Sequence, residues 1–331
     1  MQLTQPLASL KHLIRPLISL AALAFTVTAV QAFEYPYAPY NEGKLDPQIK
    51  GWPLSAQSLE FVATPAYKRR PGSESGSQKM EYLPYTPSAD GSGNPNWFVT
   101  AHSTLVTSLD RFKKDHNSKV DILLVGDSIT WQWTDIKTPY SQYPQVFNKP
   151  WMDAFGKYTV FNIGMAGDKT QGLLWRMDRG GVEGSTLPAL APRVVILAIG
   201  HNNMFFSRET GTLSAAKGVL WCVKNLRAKF PQTPVIVSKI LPNTNPDAPF
   251  YKDAQEINAH LETLLAQEKD PKVHLLPDLW KEMTNPADGT VRAEFFRSEE
   301  KPNGKIHLSI EGYRLWAAKL KPLVDQLLAN K

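Results

Sequence analysis

Cysteine is nearly absent from this chain of 331 residues, in which Cys222 is the single example. One cysteine cannot form an internal disulfide, so the chain must derive its stability from a buried core. Cys222 lies among apolar residues at helical spacing, and we expect it to be packed in that core. With 42% hydrophobic and 21% charged residues, the composition fits a soluble globular protein.

The patterns that metal and nucleic-acid sites need are also missing. No pair among His102, His116, His260 and His274 has the spacing of zinc ligands, so we expect no metal and no other cofactor. The formal net charge is +6, but the basic residues are scattered and form no stripe with interleaved aromatics. We therefore expect no nucleic-acid partner.

Long apolar runs are limited to the amino terminus, where residues 17–30 follow Lys11 and Arg15. Small residues come next, before a cleavage site expected near Ala32, and the run is short for a membrane-spanning helix. This layout predicts a signal peptide over residues 1–32, with an uncleaved anchor as the alternative. We expect a secreted or periplasmic protein with no stable membrane insertion after cleavage.

Residues 33–100 are rich in proline, glycine and aromatic side chains. Proline and glycine at this density do not sustain helices or central strands, whereas disordered linkers are usually poor in aromatics. We therefore predict an ordered but irregular arm that lies against the main domain. The alternative is a separate carbohydrate-binding module, although the regular strand spacing of such modules is missing.

Strand-like and helix-like patterns alternate over residues 101–331. Short apolar runs predict strands near 120–126, 159–163, 193–199, 235–240 and 273–276. Helical spacing predicts helices at about 170–178, 214–230, 253–268 and 310–329. This alternation predicts an α/β domain in which a central parallel five-stranded sheet lies between two layers of helices.

The first of these strands ends at Gly126-Asp127-Ser128. Open α/β sheets place their ligands at the carboxyl ends of their strands, where Ser128 would stand near the first N–H groups of a helix. Those N–H groups would stabilise the oxyanion that forms when a hydroxyl attacks a carbonyl. The alternative role of Ser128 is an ordinary helix N-cap.

Other polar residues follow the next strands and could face the same crevice. Gly167 follows the second strand, Asn202 follows the third, and His307 precedes the last helix. A serine nucleophile, a histidine base and oxyanion donors are the parts that acyl transfer needs. We predict that Ser128 attacks, that His307 takes its proton, and that Ser128, Gly167 and Asn202 hold the oxyanion.

In order along the chain, Gly126-Asp127-Ser128, Gly167, Gly200-His201-Asn202-Asn203 and His307 resemble the four sequence blocks of the GDSL, or SGNH, hydrolases. The branch that looks most similar contains bacterial relatives of the platelet-activating-factor acetylhydrolase catalytic subunit. It is resembled by Gly167-Asp168-Lys169-Thr170 with Leu174-Trp175-Arg176, and by His307-Leu308-Ser309 with Glu311-Gly312-Tyr313. The resemblance covers about residues 100 to 328. It implies a flavodoxin-like sheet and metal-free hydrolysis of acetyl or other short acyl esters.

One position departs from the family pattern, which usually has an aspartate three residues before the histidine. Gly304 occupies that position, and Asn303 precedes it. We expect a neutral group to orient His307, either Asn303 or a backbone carbonyl. A carboxylate from Glu299 or Glu300 is the alternative.

Four further residues are predicted to line the substrate crevice: Asp127, Trp131, Trp175 and His201. For the tryptophans, including Trp133, core packing is an equal alternative, and bulky rings near Ser128 would exclude long acyl chains. For Asp127, a role in the turn is favoured over that of the triad acid.

The leading functional hypothesis is a serine esterase that removes a short acyl group, such as acetyl, from a small-molecule or carbohydrate ester. A carbohydrate O-acyltransferase would use the same residues, and a non-catalytic binding protein is suggested by Gly304. An α/β-hydrolase lipase is disfavoured, because that fold expects Gly-x-Ser-x-Gly around its nucleophile.

Overall fold

In the computed structural model, five parallel strands form one sheet in the order β2-β1-β3-β4-β5. The structure describes residues 105, 108–133, 148–178, 190–204, 211–242, 249–297 and 307–329. The strands are β1 (Lys119–Gly126), β2 (Val160–Asn162), β3 (Ala191–Ala198), β4 (Val235–Val237) and β5 (Val273–Leu275). This strand order is that of flavodoxin-like folds, so the predicted fold class is confirmed.

Helices precede, connect and follow these strands. They are α1 (108–116), α2 (Ser128–Trp131), α3 (Asn148–Phe155), α4 (Thr170–Asp178), α5 (His201–Met204), α6 (Thr212–Lys229), α7 (Pro249–Glu268), α8 (Trp280–Met283) and α9 (Ile310–Ala329). A 3₁₀ turn at Ala293–Phe295 precedes α9. Successive residues of β1 and β3 point to opposite faces of the sheet. Because both strands are buried over most of their length, both faces of the sheet are covered there.

One face of the sheet packs against α3 and α9. Ile122, Leu124 and Ile196 join the aromatic rings of these two helices in one buried cluster. At its centre Trp133 stacks on Trp316, with 4.3 Å between the ring centroids, and it is 0% exposed. Trp133 is therefore a core residue, as one of its two predicted alternatives had it, and it does not line the acyl pocket.

The register of β1 and β3 fixes where the chain leaves the sheet. Gly126 lies opposite Ala198, and an added Cβ at Gly126 would come within 2.1 Å of the Ala198 carbonyl oxygen. Glycine therefore permits the close approach of these two strand ends. The segments after β1, β2 and β3 consequently emerge side by side at one edge of the sheet, where α/β folds bind ligands.

Two differences from the predicted elements have simple local causes. Helix α3 was not predicted because its apolar signal is a single pair at i, i+4, Trp151 and Phe155. Helix α7 begins at Pro249 rather than near 253, since proline is well tolerated in the first turn of a helix. The predicted signal peptide over 1–32 and the whole predicted arm over 33–100 lie outside the described residues. Within the described ranges, no helix combines the length and apolar character needed to span a bilayer.

Candidate active site

Ser128 and His307, which are 179 positions apart in the chain, meet at the carboxyl edge of the sheet. The Ser128 Oγ and the His307 Nε2 are 2.9 Å apart, which is hydrogen-bond distance. A serine hydroxyl in contact with an imidazole nitrogen is the arrangement that a serine nucleophile and its general base require. The structure thus brings together the two residues predicted to carry the chemistry.

Ser128 is held at the first position of α2, directly after the end of β1. The N-cap of this helix is Asp127, whose Oδ1 accepts a hydrogen bond of 3.0 Å from the Ile129 N–H. Because Asp127 performs the capping, the alternative of Ser128 as the N-cap is wrong, and its hydroxyl is left for His307. The Ser128 N–H belongs to the first turn and has no partner within its own helix.

The backbone around His307 is fixed by the 3₁₀ turn that precedes α9. The Arg297 N–H donates to the His307 carbonyl at 3.0 Å, and the Ser309 N–H donates to the Phe295 carbonyl at 3.0 Å. Gly312 allows this pairing, since an added Cβ there would be 2.2 Å from the Phe295 oxygen. Asn303 and Gly304, which bear on the orientation of the imidazole, lie outside the described residues.

Gly167 lies in a tight turn after β2. The Asp168 N–H donates to the Met165 carbonyl at 3.2 Å and closes the turn, while the Met165 N–H donates to Gly126 at the end of β1. Gly167 has a φ of 72°, which favours glycine. Within the described part of the chain, the Gly167 N–H has no hydrogen-bond partner. It is therefore available as an oxyanion donor.

Asn202 lies in α5, just after β3, and is tied to the same turn. Its Nδ2 donates to the Asp168 carbonyl oxygen at 2.7 Å, which uses one of the two hydrogens of the amide. Among the described residues, no other partner of that amide is found, so its second hydrogen can serve a ligand. Gly167 and Asn202, both predicted as oxyanion donors, thus meet through Asp168.

Three buried side chains to which the sequence analysis gave no role support these loops. The Asn162 side chain links the Thr130 carbonyl to the Gly164 N–H, at 2.8 and 2.7 Å. The Asn203 side chain bonds both the N–H and the hydroxyl of Thr170. Arg176 forms a buried ion pair with Asp168, with 2.7 Å between Nη2 and Oδ2. The only sequence signal for these contacts is an asparagine or arginine close to a motif in a segment that is otherwise predicted to be buried.

Asp127 is 1% exposed, so it does not line the crevice as predicted. Its Oδ2 atom has no hydrogen-bond partner among the described residues. Burial raises the pKa of Asp127 to about 7, the Ile129 N–H opposes that shift, and the nearby Asp168 charge adds to it. The carboxyl of Asp127 therefore carries a proton over much of the acidic range.

His201 is also almost enclosed, with 5% of its surface exposed. Its Nε2 lies 3.2 Å from the Leu241 carbonyl oxygen, and since that oxygen only accepts, the nitrogen must donate. Burial lowers the pKa of His201 to about 4, the hydrogen bond to the Leu241 carbonyl opposes this shift, and the nearby His307 adds to it. The imidazole beside the predicted base is therefore neutral at neutral pH.

The structure describes the side chain of one of the two tryptophans predicted to line the crevice. Trp131 is 9% exposed and lies at the end of α2, outside the buried aromatic cluster around Trp133. Trp175 lies on α4, but its side chain is outside the described part of the structure.

Within the described ranges, no group of three or more His, Cys, Asp or Glu side chains could hold a metal ion.

A flavodoxin-like sheet with a Ser–His pair at its carboxyl edge defines a serine hydrolase of the SGNH type. The sequence profile of the GDSL-like lipase/acylhydrolase family matches residues 124–315 of this chain, which therefore belongs to that family. The match includes both Ser128 and His307. The predicted family and the prediction of a serine esterase are confirmed.

Similar proteins agree with this assignment. The chain is 25% identical over 246 residues to platelet-activating factor acetylhydrolase IB subunit alpha1 of Homo sapiens, covering 74% of this chain and 90% of that protein. It is 26% identical over 227 residues to the alpha2 subunit of Homo sapiens, covering 66% and 86%. A GDSL-like lipase structure from Bacteroides thetaiotaomicron VPI-5482 superposes with a TM-score of 0.50 at 16% identity, covering 69% and 98%. That structure shows the shared fold.

Proposed function

We propose that this protein hydrolyses acetyl and other short acyl esters, carried on carbohydrates, in a secreted or periplasmic location. The observation that carries the proposal is the 2.9 Å contact between the Ser128 Oγ and the His307 Nε2. In this proposal Ser128 is the nucleophile and His307 its base, and the oxyanion donors are the N–H groups of Ser128 and Gly167 and the amide of Asn202. This contact also argues against a binding protein that has lost catalysis.

The proposed reaction follows from these positions. The Ser128 Oγ attacks the ester carbonyl carbon while the His307 Nε2 takes its proton, and the carbonyl electrons move onto the oxygen. Ser128, Gly167 and Asn202 donate hydrogen bonds to that oxyanion. The intermediate collapses to an acyl-Ser128 ester as His307 protonates the departing alcohol. Water, activated by His307, then releases the carboxylic acid and restores Ser128.

Two arguments support the short acyl group and the location. The human relatives are named acetylhydrolases, and the chain covers 90% and 86% of their lengths. The amino-terminal sequence has the layout of a signal peptide that is cleaved near Ala32. A carbohydrate as the carrier of the acyl group is a further part of the proposal, and acetylated sugars are its direct test.

The test measures kcat/KM of the purified protein on p-nitrophenyl acetate, butyrate and octanoate, and acetate release from acetylated sugars. We expect the acetyl ester to be the best of the three model esters and the acetylated sugars to be hydrolysed. A higher kcat/KM for octanoate would contradict the short acyl specificity. Turnover of p-nitrophenyl acetate without release of acetate from the acetylated sugars would contradict only the proposal that the acyl group is carried on a carbohydrate.

The matched control is Ser128→Ala, which removes the nucleophile and needs no new space at the strand end. We expect turnover to be lost, labelling by a fluorophosphonate probe to disappear, and the unfolding temperature to stay close to that of the wild type. If the alanine variant keeps wild-type turnover on p-nitrophenyl acetate, Ser128 is not the nucleophile.

A further inference from the structure

We propose that Arg176 is a positioning residue for the oxyanion donors, acting through Asp168 on Asn202 and on the Gly167 turn. Arg176 lies on α4, outside the four sequence blocks, in the run Leu174-Trp175-Arg176 that resembles the acetylhydrolase branch. The inference rests on the proposed function, because it assumes that Gly167 and Asn202 stabilise the oxyanion. It assigns a catalytic purpose to a buried ion pair.

The guanidinium of Arg176 spans both ends of the segment that carries Gly167. Its Nη1 donates to the Ile163 carbonyl at 2.8 Å, just after β2. Its Nε and Nη2 donate to the Asp168 Oδ2 at 3.0 and 2.7 Å, just after Gly167. A planar guanidinium holds such partners in a fixed relative geometry, which the single ammonium of lysine does not. Arg176 thus sets the span of residues 163–168.

Asp168 transmits this constraint to Asn202. While its carboxylate is held by Arg176, its main-chain oxygen accepts the 2.7 Å hydrogen bond from the Asn202 Nδ2. That bond uses one amide hydrogen and therefore fixes the direction in which the other one points. The position of Arg176 consequently determines where the donor of Asn202 is aimed.

The burial of the pair keeps this arrangement rigid. Both side chains are 0% exposed, so neither can exchange its partner for water. A second Asp168 oxygen, Oδ1, accepts from the Lys169 N–H at 2.9 Å, which leaves both carboxylate oxygens bonded. Preorganised donors are effective because they do not have to reorient during the reaction. A fully bonded, buried anchor is how this fold supplies that preorganisation.

The test is a double-mutant cycle with wild type, Arg176→Lys, Asn202→Ala and the double variant, assayed on p-nitrophenyl acetate. Lysine keeps the charge but cannot reproduce the three hydrogen bonds that the guanidinium makes to Ile163 and Asp168. We expect Arg176→Lys to lower kcat about 10- to 100-fold, since small misplacements of catalytic groups have effects of that size, with KM nearly unchanged. We expect Asn202→Ala to lower kcat about 10²- to 10³-fold.

The decisive measurement is the kcat of the variant that carries both Arg176→Lys and Asn202→Ala. If Arg176 acts through Asn202, Arg176→Lys should change kcat little once Asn202 is alanine, so the two effects should be clearly less than multiplicative. Independent, multiplicative effects would overturn the inference, as would a change confined to KM. An active wild type with an unaffected Asn202→Ala variant would instead refute the proposed oxyanion hole.

Two controls separate positioning from folding. Arg227→Lys alters a comparable group, in which Arg227 bonds Asp270 at 2.7 Å and the carbonyls of Phe230 and Thr233, but it lies at the end of α6, toward the amino edge of the sheet. It should leave kcat unchanged. If Arg176→Lys folds poorly, Arg176→Met with Asp168→Asn removes both buried charges together. If the variant with Arg176→Met and Asp168→Asn folds and has the kcat of the wild type, the inference is overturned.

Discussion

Tyr313 links the carboxyl-terminal helix to the short helix that carries Ser128. It is 0% exposed, and its hydroxyl donates to the Ile129 carbonyl at 2.7 Å. Its ring also packs against Trp133, with 5.7 Å between the centroids. One residue thus holds α2 in place from the core side, while His307 approaches Ser128 from the crevice side.

We therefore expect Tyr313→Phe to destabilise the protein, because it removes the donor to a buried carbonyl and leaves the ring in place. A loss of about 1–3 kcal/mol is typical for an unsatisfied buried group. Chemical unfolding measures this loss. Tyr158→Phe is the control, since the Tyr158 hydroxyl bonds Asp325 in a partly buried position and its loss should cost less. Equal losses in the two variants would contradict the anchoring role of Tyr313.

At the scale of elements, the sequence predicted best what depends on local pattern. Apolar runs such as Leu123–Val125 gave the strands, because buried parallel strands leave that signal whatever lies beside them. Helix α9 was predicted within its observed bounds, since it has a long apolar stripe. The meeting of Ser128 and His307 followed from motif order and from the rule that ligands bind at the carboxyl ends of strands.

Contacts between distant residues could not be predicted in the same way. A buried tryptophan and one that lines a crevice share the same local pattern, so only the packing against Trp316 identifies Trp133 as a core residue. The pairing of Arg176 with Asp168 depends on the turn at Gly167, which sets the distance between them. The capping role of Asp127 likewise depended on where α2 begins.

The close approach of β1 and β3 at Gly126 predicts what the addition of one methyl group at that position would do. We expect Gly126→Ala to destabilise the protein by about 1–3 kcal/mol or more, because the new Cβ would meet the Ala198 oxygen at 2.1 Å and the Thr130 Oγ1 at 2.2 Å. Thermal unfolding measures this effect. We also expect turnover to fall, since separating these strand ends would shift Ser128.

Gly211→Ala is the control for this substitution. Gly211 has a φ of 82°, and an added Cβ there would meet no atom of the described residues within 4 Å. It should therefore show only the backbone cost of placing a Cβ at a φ of 82° and a ψ of 143°, about 1–3 kcal/mol, and keep its turnover. If Gly126→Ala retained full turnover, the close approach of the strands would not be what positions Ser128.

At the scale of the whole molecule, the free energy of unfolding depends on pH through buried groups such as Asp127. Burial raises the pKa of Asp127 from 3.8 to about 7 in the folded protein. Between these values the unfolded chain has lost the proton and the folded protein still holds it. Because the unfolded state then binds fewer protons, this group lowers stability as pH rises from about 4 to about 7 and adds no further change above 7.

Asp127→Asn should remove this dependence. The amide oxygen can still cap the Ile129 N–H, whereas no charge can form on the buried side chain. We expect the stability of the variant relative to the wild type to increase with pH, by about 1.4 kcal/mol per pH unit and on the order of 4 kcal/mol across the window. Urea unfolding at several pH values between 4 and 8 measures the difference.

The comparison between variants is essential, because His201 acts in the opposite direction. Burial lowers the pKa of His201 from 6.5 to about 4, so its contribution to stability is lost as pH falls through that range. In the wild type the two trends offset each other below about pH 6.5, and only the difference between variant and wild type isolates Asp127. Asp110→Asn, an exposed exchange of the same kind on α1, is the control. A pH-independent difference for Asp127→Asn would mean that the Asp127 carboxylate is already ionised in the acidic range, stabilised by a group that reaches its Oδ2 atom.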